Sequence, residues 1–251
     1  MTWVLDLDGV VWLAGRPIEG AAAAVGRLRS AGERVAFLTN NAGPTVEEYM
    51  EMLARAGIPA RPAELVTSAQ AAASLLVPGS SAAMVGGAGL LQALEECGVR
   101  MVRAGDHPEA VVVGRSVELD YGALAEAATA IRSGSRFVAT NTDSTFPTPE
   151  GLVPGAGALV AYLEVATGVS PEVAGKPNPA IAALVTARFG TPRVVVGDRP
   201  DTDGTFATLV GAPFALVLTG VTAASDLPVQ AAPELVADDL GQVVERLLAE
   251  V

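Results

Sequence analysis

The sequence predicts an α/β protein with a doubly wound parallel sheet and a smaller α/β domain inserted into it. Three segments, WVLDLDG, RVAFLTNN and RVVVGDRPD, each begin with an apolar or β-branched run and end on Asp, Thr or Asn. Continuous apolar strands are typical of parallel sheets that are buried on both faces. Helical patterns between these strands indicate the doubly wound arrangement, in which ligands bind at the carboxyl ends of the strands.

Two helices of this sheet have clear terminal signals. In TVEEYMEMLARAG, Thr45 and Glu48 have the spacing of a capping box, and Gly57 can end the helix. Asn178 precedes Pro179 at the start of NPAIAALVTARFG. This pair predicts an N-cap followed by a first-turn proline.

The inserted domain is indicated by turn-rich segments at residues 77–80 and 168–171. Between them, strand-like and helix-like segments alternate again: SAAMV, GLLQALEECG, EAVVVG, YGALAEAATAIRSG, SRFVATNTD and GALVAYLEVATG. This series is long enough for an α/β unit of its own. We therefore expect a core of residues 1–77 and 171–251 and an inserted domain of residues 78–170.

Composition excludes several classes of protein. With 16 basic against 28 acidic residues, the net charge of −12 argues against a nucleic-acid or anionic-membrane partner. Cys97 is the only cysteine and His107 is the only histidine. These counts exclude an internal disulfide, a multi-Cys zinc site and a His-based metal cluster. Apolar stretches are too short for a membrane-spanning helix, and no secretory leader is evident, so we expect a cytoplasmic protein.

The first candidate site is LDLDG, where Asp6 and Asp8 crowd two carboxylates at a strand end. Asp8-Gly9 alone would be an ordinary turn signal. A cation between the carboxylates would relieve their repulsion, and Mg²⁺ favours one or two carboxylates with waters and phosphate oxygens.

Two further segments could bind a phosphate group. Thr39, Asn40 and Asn41 offer a hydroxyl, two amides and backbone N–H groups at a strand-to-helix turn, although such residues are common in turns generally. Lys176, held between Gly175 and a proline, could supply a positive charge to a phosphoryl group.

The segment VVVGDRPDTDG places Asp198 directly after a strand and Asp203 in the following loop. Acidic residues in loops are often solvated or cap helices. Asp198 is nevertheless well placed to bind a metal ion, with Asp203 as a direct or water-mediated ligand.

In their order and spacing, DLDG, the strand ending in Thr39, GKP and GDRPDTD resemble the motifs of the haloacid dehalogenase superfamily of phosphohydrolases. FLTNNAG, TSAQAAASLL, ATNTDSTFPTPEGLVPGAGAL and GKPNP are similar to the NagD-like subclass, which has an inserted α/β cap. This subclass includes p-nitrophenyl, phosphoglycolate and glycerol-phosphate phosphatases. The resemblance covers nearly the whole chain and implies a Rossmann-like core.

The resemblance implies specific catalytic roles. Asp6 would be the nucleophile and become an aspartyl phosphate, and Asp8 would protonate the leaving oxygen and later activate water. Thr39 and Lys176 would hold the phosphoryl group, with Asn40 contributing. A lysine and a cation are chemically sensible here, because a carboxylate attacking a phosphate monoester faces like-charge repulsion.

The resemblance also implies a Mg²⁺ site. Its ligands would be Asp6, the backbone carbonyl of Asp8 and Asp198, with Asp203 in support.

In the inserted domain, the candidate specificity segment is Asn141 to Asp143 together with a loop from Phe146 to Pro154, since the segment ends a predicted strand. An equally good interpretation is that this loop only connects a strand to a helix and has no role in specificity.

The chain departs from its relatives at four positions. Arg115 and Ser116 stand where many relatives have Leu-Asp or Phe-Asp, which leaves the substrate open. Pro200 and Gly204 stand where larger residues are more usual.

We therefore expect a Mg²⁺-dependent phosphatase for a small phosphorylated metabolite such as phosphoglycolate, glycerol phosphate or a sugar phosphate. The alternatives are a non-hydrolytic phosphoacceptor or metabolite sensor, and a phosphotransferase. No nucleic-acid or membrane partner is expected, and a homodimer is compatible with the sequence.

Overall fold

The structure is a computed structural model and describes residues 1–249. The strands are β1 (Thr2–Asp6), β2 (Trp12–Leu13), β3 (Arg16–Pro17), β4 (Arg34–Thr39), β5 (Leu65–Thr67), β6 (Ser81–Val85), β7 (Arg100–Met101), β8 (Ala110–Val113), β9 (Arg136–Ala139), β10 (Thr145–Thr148), β11 (Gly151–Pro154), β12 (Glu172–Val173), β13 (Val194–Gly197), β14 (Phe214–Val217) and β15 (Leu235–Ala237).

The α-helices alternate with most of these strands, as the sequence pattern predicts. They are α1 (Ala21–Ser30), α2 (Val46–Arg55), α3 (Ser68–Ser74), α4 (Ala88–Glu96), α5 (Tyr121–Arg132), α6 (Ala156–Thr167), α7 (Pro179–Phe189), α8 (Thr205–Val210) and α9 (Leu240–Leu248). A π-helical turn over Pro200–Gly204 leads directly into α8. No helix in the described part of the chain is long and apolar enough to cross a bilayer.

The larger sheet is parallel, with the strand order β15-β14-β13-β1-β4-β5. The three strands predicted to carry polar ends are therefore direct neighbours. Leu5 of β1 pairs with Phe37 of β4 on one side and with Val196 of β13 on the other. Asp6, Thr39 and Asp198 consequently emerge at the same edge of the sheet.

Helices cover both faces of this sheet, which explains why its strands read as unbroken apolar runs. Trp3 and Leu5 pack with residues of α1, α2 and α9 on one face. Val4 and Leu38 pack with residues of α3, α7 and α8 on the other. Each fully buried large apolar side chain contributes roughly 1.5–3 kcal/mol, so the strand ends are fixed on a rigid layer.

The inserted domain, called the cap below, has a parallel sheet in the order β12-β9-β8-β6-β7. Its last strand, Glu172–Val173, lies beyond the predicted boundary at residue 170. This strand pairs with β9, and Arg136 of β9 lies 2.6 Å from the Glu172 carboxylate. The turn residues near Gly168 end α6 and precede this edge strand, so the chain returns to the core only after Val173.

Two local predictions differ from the structure. The segment Phe146 to Pro154 is not a plain loop, because most of it forms the antiparallel hairpin of β10 and β11. Asn178 occupies the predicted N-cap position of α7, with Pro179 in the first turn, but its side chain makes no capping hydrogen bond and its amide donates to the Gly175 carbonyl at 2.8 Å. The predicted capping box of α2 is confirmed, with Glu48 N–H donating to Thr45 Oγ1 at 3.2 Å and Thr45 N–H to Glu48 Oε2 at 2.8 Å.

Candidate active site

Lys176 lies at the centre of the site, on the loop that joins β12 to α7. Its ammonium is 2.8 Å from Asp6 Oδ1 and 2.7 Å from Asp203 Oδ1, and all three side chains are almost completely buried. Burial alone would lower the pKa of Lys176. The carboxylates of Asp203 and Asp6 outweigh that effect and raise the pKa above its usual value, so the lysine remains charged.

Asp6 ends β1 and lines a cavity between the core and the cap. Its Oδ1 accepts a hydrogen bond from the Leu7 N–H at 2.8 Å and also contacts the Lys176 ammonium. Burial raises the pKa of Asp6 well above its ordinary value, and Lys176 acts in the opposite direction. Among the described residues no group donates to Asp6 Oδ2, which leaves that oxygen available to a ligand.

Asp8 follows Asp6 in the loop after β1, and its environment is different. The Trp12 indole N–H donates to Asp8 Oδ1 at 3.1 Å, which fixes the orientation of the carboxyl group. Burial raises the pKa of Asp8 to about 6. A carboxyl group with that pKa can both give and accept a proton near neutral pH.

Three carboxylates form a candidate metal centre. One oxygen from each of Asp6, Asp198 and Asp203 lies within 4.8 Å of the others. Asp198 Oδ2 accepts from the Val221 N–H at 2.6 Å, whereas the buried Oδ1 has no hydrogen-bond partner in the described chain. Burial, followed by the charge of Asp203, raises the pKa of Asp198 to about 7.

This donor set fits a divalent cation such as Mg²⁺, which prefers oxygen ligands. A buried acceptor without a donor is costly, and a cation beside Asp198 Oδ1 would remove that cost. The carboxylate of Asp8 lies outside this group.

Glycines allow the backbone to approach the Asp198 carboxylate closely. Gly9 has φ +86°, and a Cβ there would lie 2.4 Å from Asp198 Cγ. A Cβ on Gly220 would lie 2.0 Å from Asp198 Oδ2. Side chains at either position would displace the carboxylate, so these glycines shape the candidate metal centre.

The turn after β4 is also ordered by its own side chains. Thr39 Oγ1 accepts from the Asn41 N–H at 3.0 Å, and Asn41 Oδ1 accepts from the Gly43 N–H at 3.1 Å. The Tyr49 hydroxyl donates to the Asn41 carbonyl at 2.7 Å. Thr39 and Asn41 both line the cavity.

Asn40 and Asn141 line the cavity too, but their amides already bond to protein groups. Asn40 bonds to the backbone of Lys176, at 2.7 and 3.1 Å, and to the Asp143 carboxylate, at 3.2 and 3.3 Å. Asn141 Nδ2 donates to the Asn40 carbonyl at 2.6 Å, and Asn141 Oδ1 accepts from the Asp143 N–H. These contacts join the cap to the turn after β4.

The cavity has a volume of about 70 Å³, room for a few water molecules or one small polar group. It is lined by every residue predicted for catalysis, phosphate binding or metal binding except Asp203, which is buried and contacts Lys176. Of the candidate specificity segment, Asn141, Asp143, Phe146 and Pro147 line the cavity. The cavity walls also include residues outside the predicted site set, among them Leu13, Arg115, Arg199 and Val221.

Some of these additional residues had a detectable signal in the sequence. Arg199 directly follows Asp198, and Arg115 directly follows the strand-like segment EAVVVG. Val221 had none, because its contact with Asp198 depends on the loop after β14.

Two family models match the chain. The model described as haloacid dehalogenase-like hydrolase matches residues 3–100, and a second model, HAD-hydrolase-like, matches residues 173–243. The unmatched region between them coincides with most of the cap.

Curated relatives share most of the chain. This chain is 44% identical over 229 residues to D-glycerol 3-phosphate phosphatase of Mycobacterium tuberculosis, and the match covers 89% of this chain and 64% of that protein. The chain thus spans less than two thirds of that relative. It is 36% identical over 231 residues to acid sugar phosphatase of Staphylococcus aureus, covering 90% of this chain and 89% of the relative.

Solved structures with the same architecture include the Mycobacterium tuberculosis glycerol phosphate phosphatase in complex with magnesium. That structure has a TM-score of 0.88 and 41% identity, covering 95% of this chain and 74% of the other. A p-nitrophenyl phosphatase from Archaeoglobus fulgidus has a TM-score of 0.90 and 29% identity, covering 98% of both chains.

Proposed function

The chain belongs to the haloacid dehalogenase-like hydrolases, and we propose that it is a Mg²⁺-dependent phosphatase for small phosphorylated metabolites. The observation that best supports this proposal is the arrangement of Asp6, Lys176 and Asp198 at one edge of the sheet. It brings a carboxylate that could act as the nucleophile, a buried ammonium group and three carboxylates that could hold a metal ion together at one small cavity. The named activities of the relatives agree with this reaction class.

In the first step, a carboxylate oxygen of Asp6 attacks phosphorus while the bond to the leaving oxygen breaks. Asp8 gives its proton to that oxygen, so the product leaves as an alcohol and Asp6 becomes an aspartyl phosphate. The raised pKa of Asp8 keeps this proton available near neutral pH. In the second step Asp8 removes a proton from water, which attacks phosphorus and releases inorganic phosphate and free Asp6.

Lys176 would stabilise the phosphoryl oxygens as negative charge shifts between them. Thr39 and Asn41 lie on the same cavity wall and would contribute neutral donors. The residues that would hold Mg²⁺ are Asp6, Asp198 and the backbone carbonyl of Asp8, with Asp203 in support. When bound, the ion would neutralise carboxylate charge and polarise the phosphoryl group.

The size of the cavity favours a small substrate. The printed names of the relatives suggest glycerol phosphate and sugar phosphates as first candidates, and phosphoglycolate belongs to the same size class. Closure of the cap over the site would exclude bulk water during the transfer.

The test is release of inorganic phosphate from p-nitrophenyl phosphate, followed over many turnovers with Mg²⁺ and with excess chelator. We expect multiple turnovers that stop on chelation. Asp6→Asn should reduce kcat by about 10⁴-fold or more without loss of the folded far-UV signal, whereas the exposed variant Asp226→Asn should retain activity. A single phosphate transferred per chain, or activity retained in Asp6→Asn, would contradict the proposal.

A further inference from the structure

Arg115 lies where the small cavity opens into a larger groove. It follows β8 on the cap and lines both the cavity and a groove of about 920 Å³ between the cap and the core. A substrate whose phosphoryl group reaches Asp6 would place its leaving group on the Asp8 side, near this opening. Arg115 and Asp8 both line the cavity and the groove.

The guanidinium group of Arg115 is held in place but keeps its donors free. Its Cζ lies 4.1 Å from the centroid of the Phe146 ring, a cation–π contact between the loop after β8 and the β10–β11 hairpin. Within residues 1–249, Arg115 makes no ion pair, and its side chain donates no hydrogen bond. An oriented guanidinium with free donors is prepared for an acceptor from outside the protein.

The other two cations at the cavity are already paired. Lys176 contacts Asp6 and Asp203, and Arg199 contacts Asp201 at 3.2 Å. The carboxylate of Asp143 would repel a second anion on the substrate. Arg115 could offset this repulsion, because its planar fork binds a carboxylate or phosphate through two parallel hydrogen bonds.

Several side chains that line the small cavity beside Arg115 are apolar and cannot bind an anion, whereas the larger groove also contains Arg16 and Arg55. Leu13, Phe146 and Pro147 form apolar parts of the same wall. A neutral leaving group would contact these side chains and leave the Arg115 guanidinium without a partner. An anionic leaving group would accept hydrogen bonds from the guanidinium and pair with its charge.

We infer that Arg115 is a specificity-determining residue that binds a second anionic group, a carboxylate or a second phosphate, on the leaving-group side of the substrate. The inference rests on the proposed phosphatase function and specifies its substrate class.

The test compares substrates that differ only in the second charged group. The carboxylate pairs are 2-phosphoglycolate with 2-hydroxyethyl phosphate, and 3-phosphoglycerate with glycerol 3-phosphate. The phosphate pair is fructose 1,6-bisphosphate with fructose 6-phosphate. The measured quantity is the ratio of kcat/KM for the anionic member to kcat/KM for its neutral partner.

The wild-type ratio should exceed one in at least one class of pair, and that class identifies the second anion. Arg115→Gln should lower the ratio by about 10- to 100-fold, the usual range for loss of a charged hydrogen bond. Arg115→Lys should recover part of the loss. The matched control is Arg100→Ala, which removes an exposed arginine of the cap outside the cavity and should leave the ratio as in the wild type.

A preference of the wild type for the neutral members, or equal ratios in the wild type and Arg115→Gln, would overturn the inference. Thermal unfolding of each variant identifies any general loss of structure, and Arg115→Lys provides a second measurement if Arg115→Gln is unstable. Hydrolysis of p-nitrophenyl phosphate separates the two proposals. Its absence in the wild type would refute the phosphatase function, whereas its presence with unchanged ratios would refute only the role of Arg115.

Discussion

The side chain of Asn40 bonds to both backbone polar groups of Lys176. Asn40 Oδ1 accepts from the Lys176 N–H at 2.7 Å, and Asn40 Nδ2 donates to the Lys176 carbonyl at 3.1 Å. Both residues are buried. The end of β4 thereby fixes the loop that carries the lysine, and the ammonium is held between Asp6 and Asp203.

We predict that Asn40→Ala destabilises the protein by about 2–3 kcal/mol, because two buried backbone groups lose their partners. The value of kcat should fall as well, since the loop carrying Lys176 is no longer fixed. Urea unfolding and steady-state kinetics check the two effects. The neighbouring variant Asn41→Ala removes a side-chain oxygen (Oδ1) that accepts only from the Gly43 N–H, so it should cost less stability. An equal loss of stability in both variants would argue against the positioning role.

A second prediction concerns the proton carried by Asp8. Asp8→Asn should lower kcat for alkyl phosphates by about 10²- to 10⁴-fold, the usual contribution of a general acid or base. The first step with p-nitrophenyl phosphate should be affected less, because p-nitrophenolate leaves without a proton. Burst kinetics can check this difference. A first step slowed equally for both kinds of substrate would be inconsistent with Asp8 as the acid.

A third prediction tests the metal centre without measuring activity. Mg²⁺ at about 100 times its Kd should stabilise the wild type by about 2.7 kcal/mol, as expected for a ligand that binds only the folded state. Asp198→Asn should lose most of this stabilisation. The measurement is thermal unfolding with and without Mg²⁺. Asp201→Asn, an exposed residue of the same loop, is the control, and an equal Mg²⁺ effect in Asp198→Asn would exclude Asp198 as a ligand.

A fourth prediction concerns pH and Asp143. Burial raises the pKa of Asp143, while Arg199, Lys176 and Asn40 partly oppose the rise. Between its unfolded and folded pKa values the folded chain therefore binds more protons, and the free energy of unfolding falls as pH rises through that window. The contribution of Asp143 to stability is therefore fully present only at pH values below about 3.9, the pKa of an aspartate in the unfolded chain.

Asp143→Asn should make the protein less sensitive to pH. The variant and the wild type should have similar stability at the acid end, and the variant should become the more stable of the two as pH approaches 7. Urea unfolding in the presence of chelator, measured between pH 4 and pH 7, checks the difference. Parallel pH profiles for the two proteins would contradict the prediction.

Much of the fold could be predicted because local sequence and tertiary environment agree. The strands ending near Asp6, Thr39 and Asp198 are apolar throughout since both faces of their sheet are buried, and their polar ends meet because parallel strands share an orientation. The capping box of α2 involves residues three apart and is equally local. Such features need no knowledge of distant contacts.

The features that could not be predicted depend on contacts between distant segments. Arg115 reaches Phe146 only because the hairpin folds beside the loop after β8. The pairing of Glu172 with Val138 extends the cap beyond turn residues that looked like its boundary. Asn178 has the sequence of an N-cap, yet the preceding loop brings the Gly175 carbonyl within its reach.

The position of β1 between β4 and β13 has a consequence for synthesis of the chain. Trp3 pairs with Val35, which follows closely, and with Val194, which lies beyond the entire cap. On the ribosome, one side of β1 therefore has no neighbour until the cap has been made, and chain domains generally fold as units in order of emergence. The cap can form its own sheet during this interval, whereas the metal centre, which needs Asp198, can be assembled only when the last third of the chain arrives.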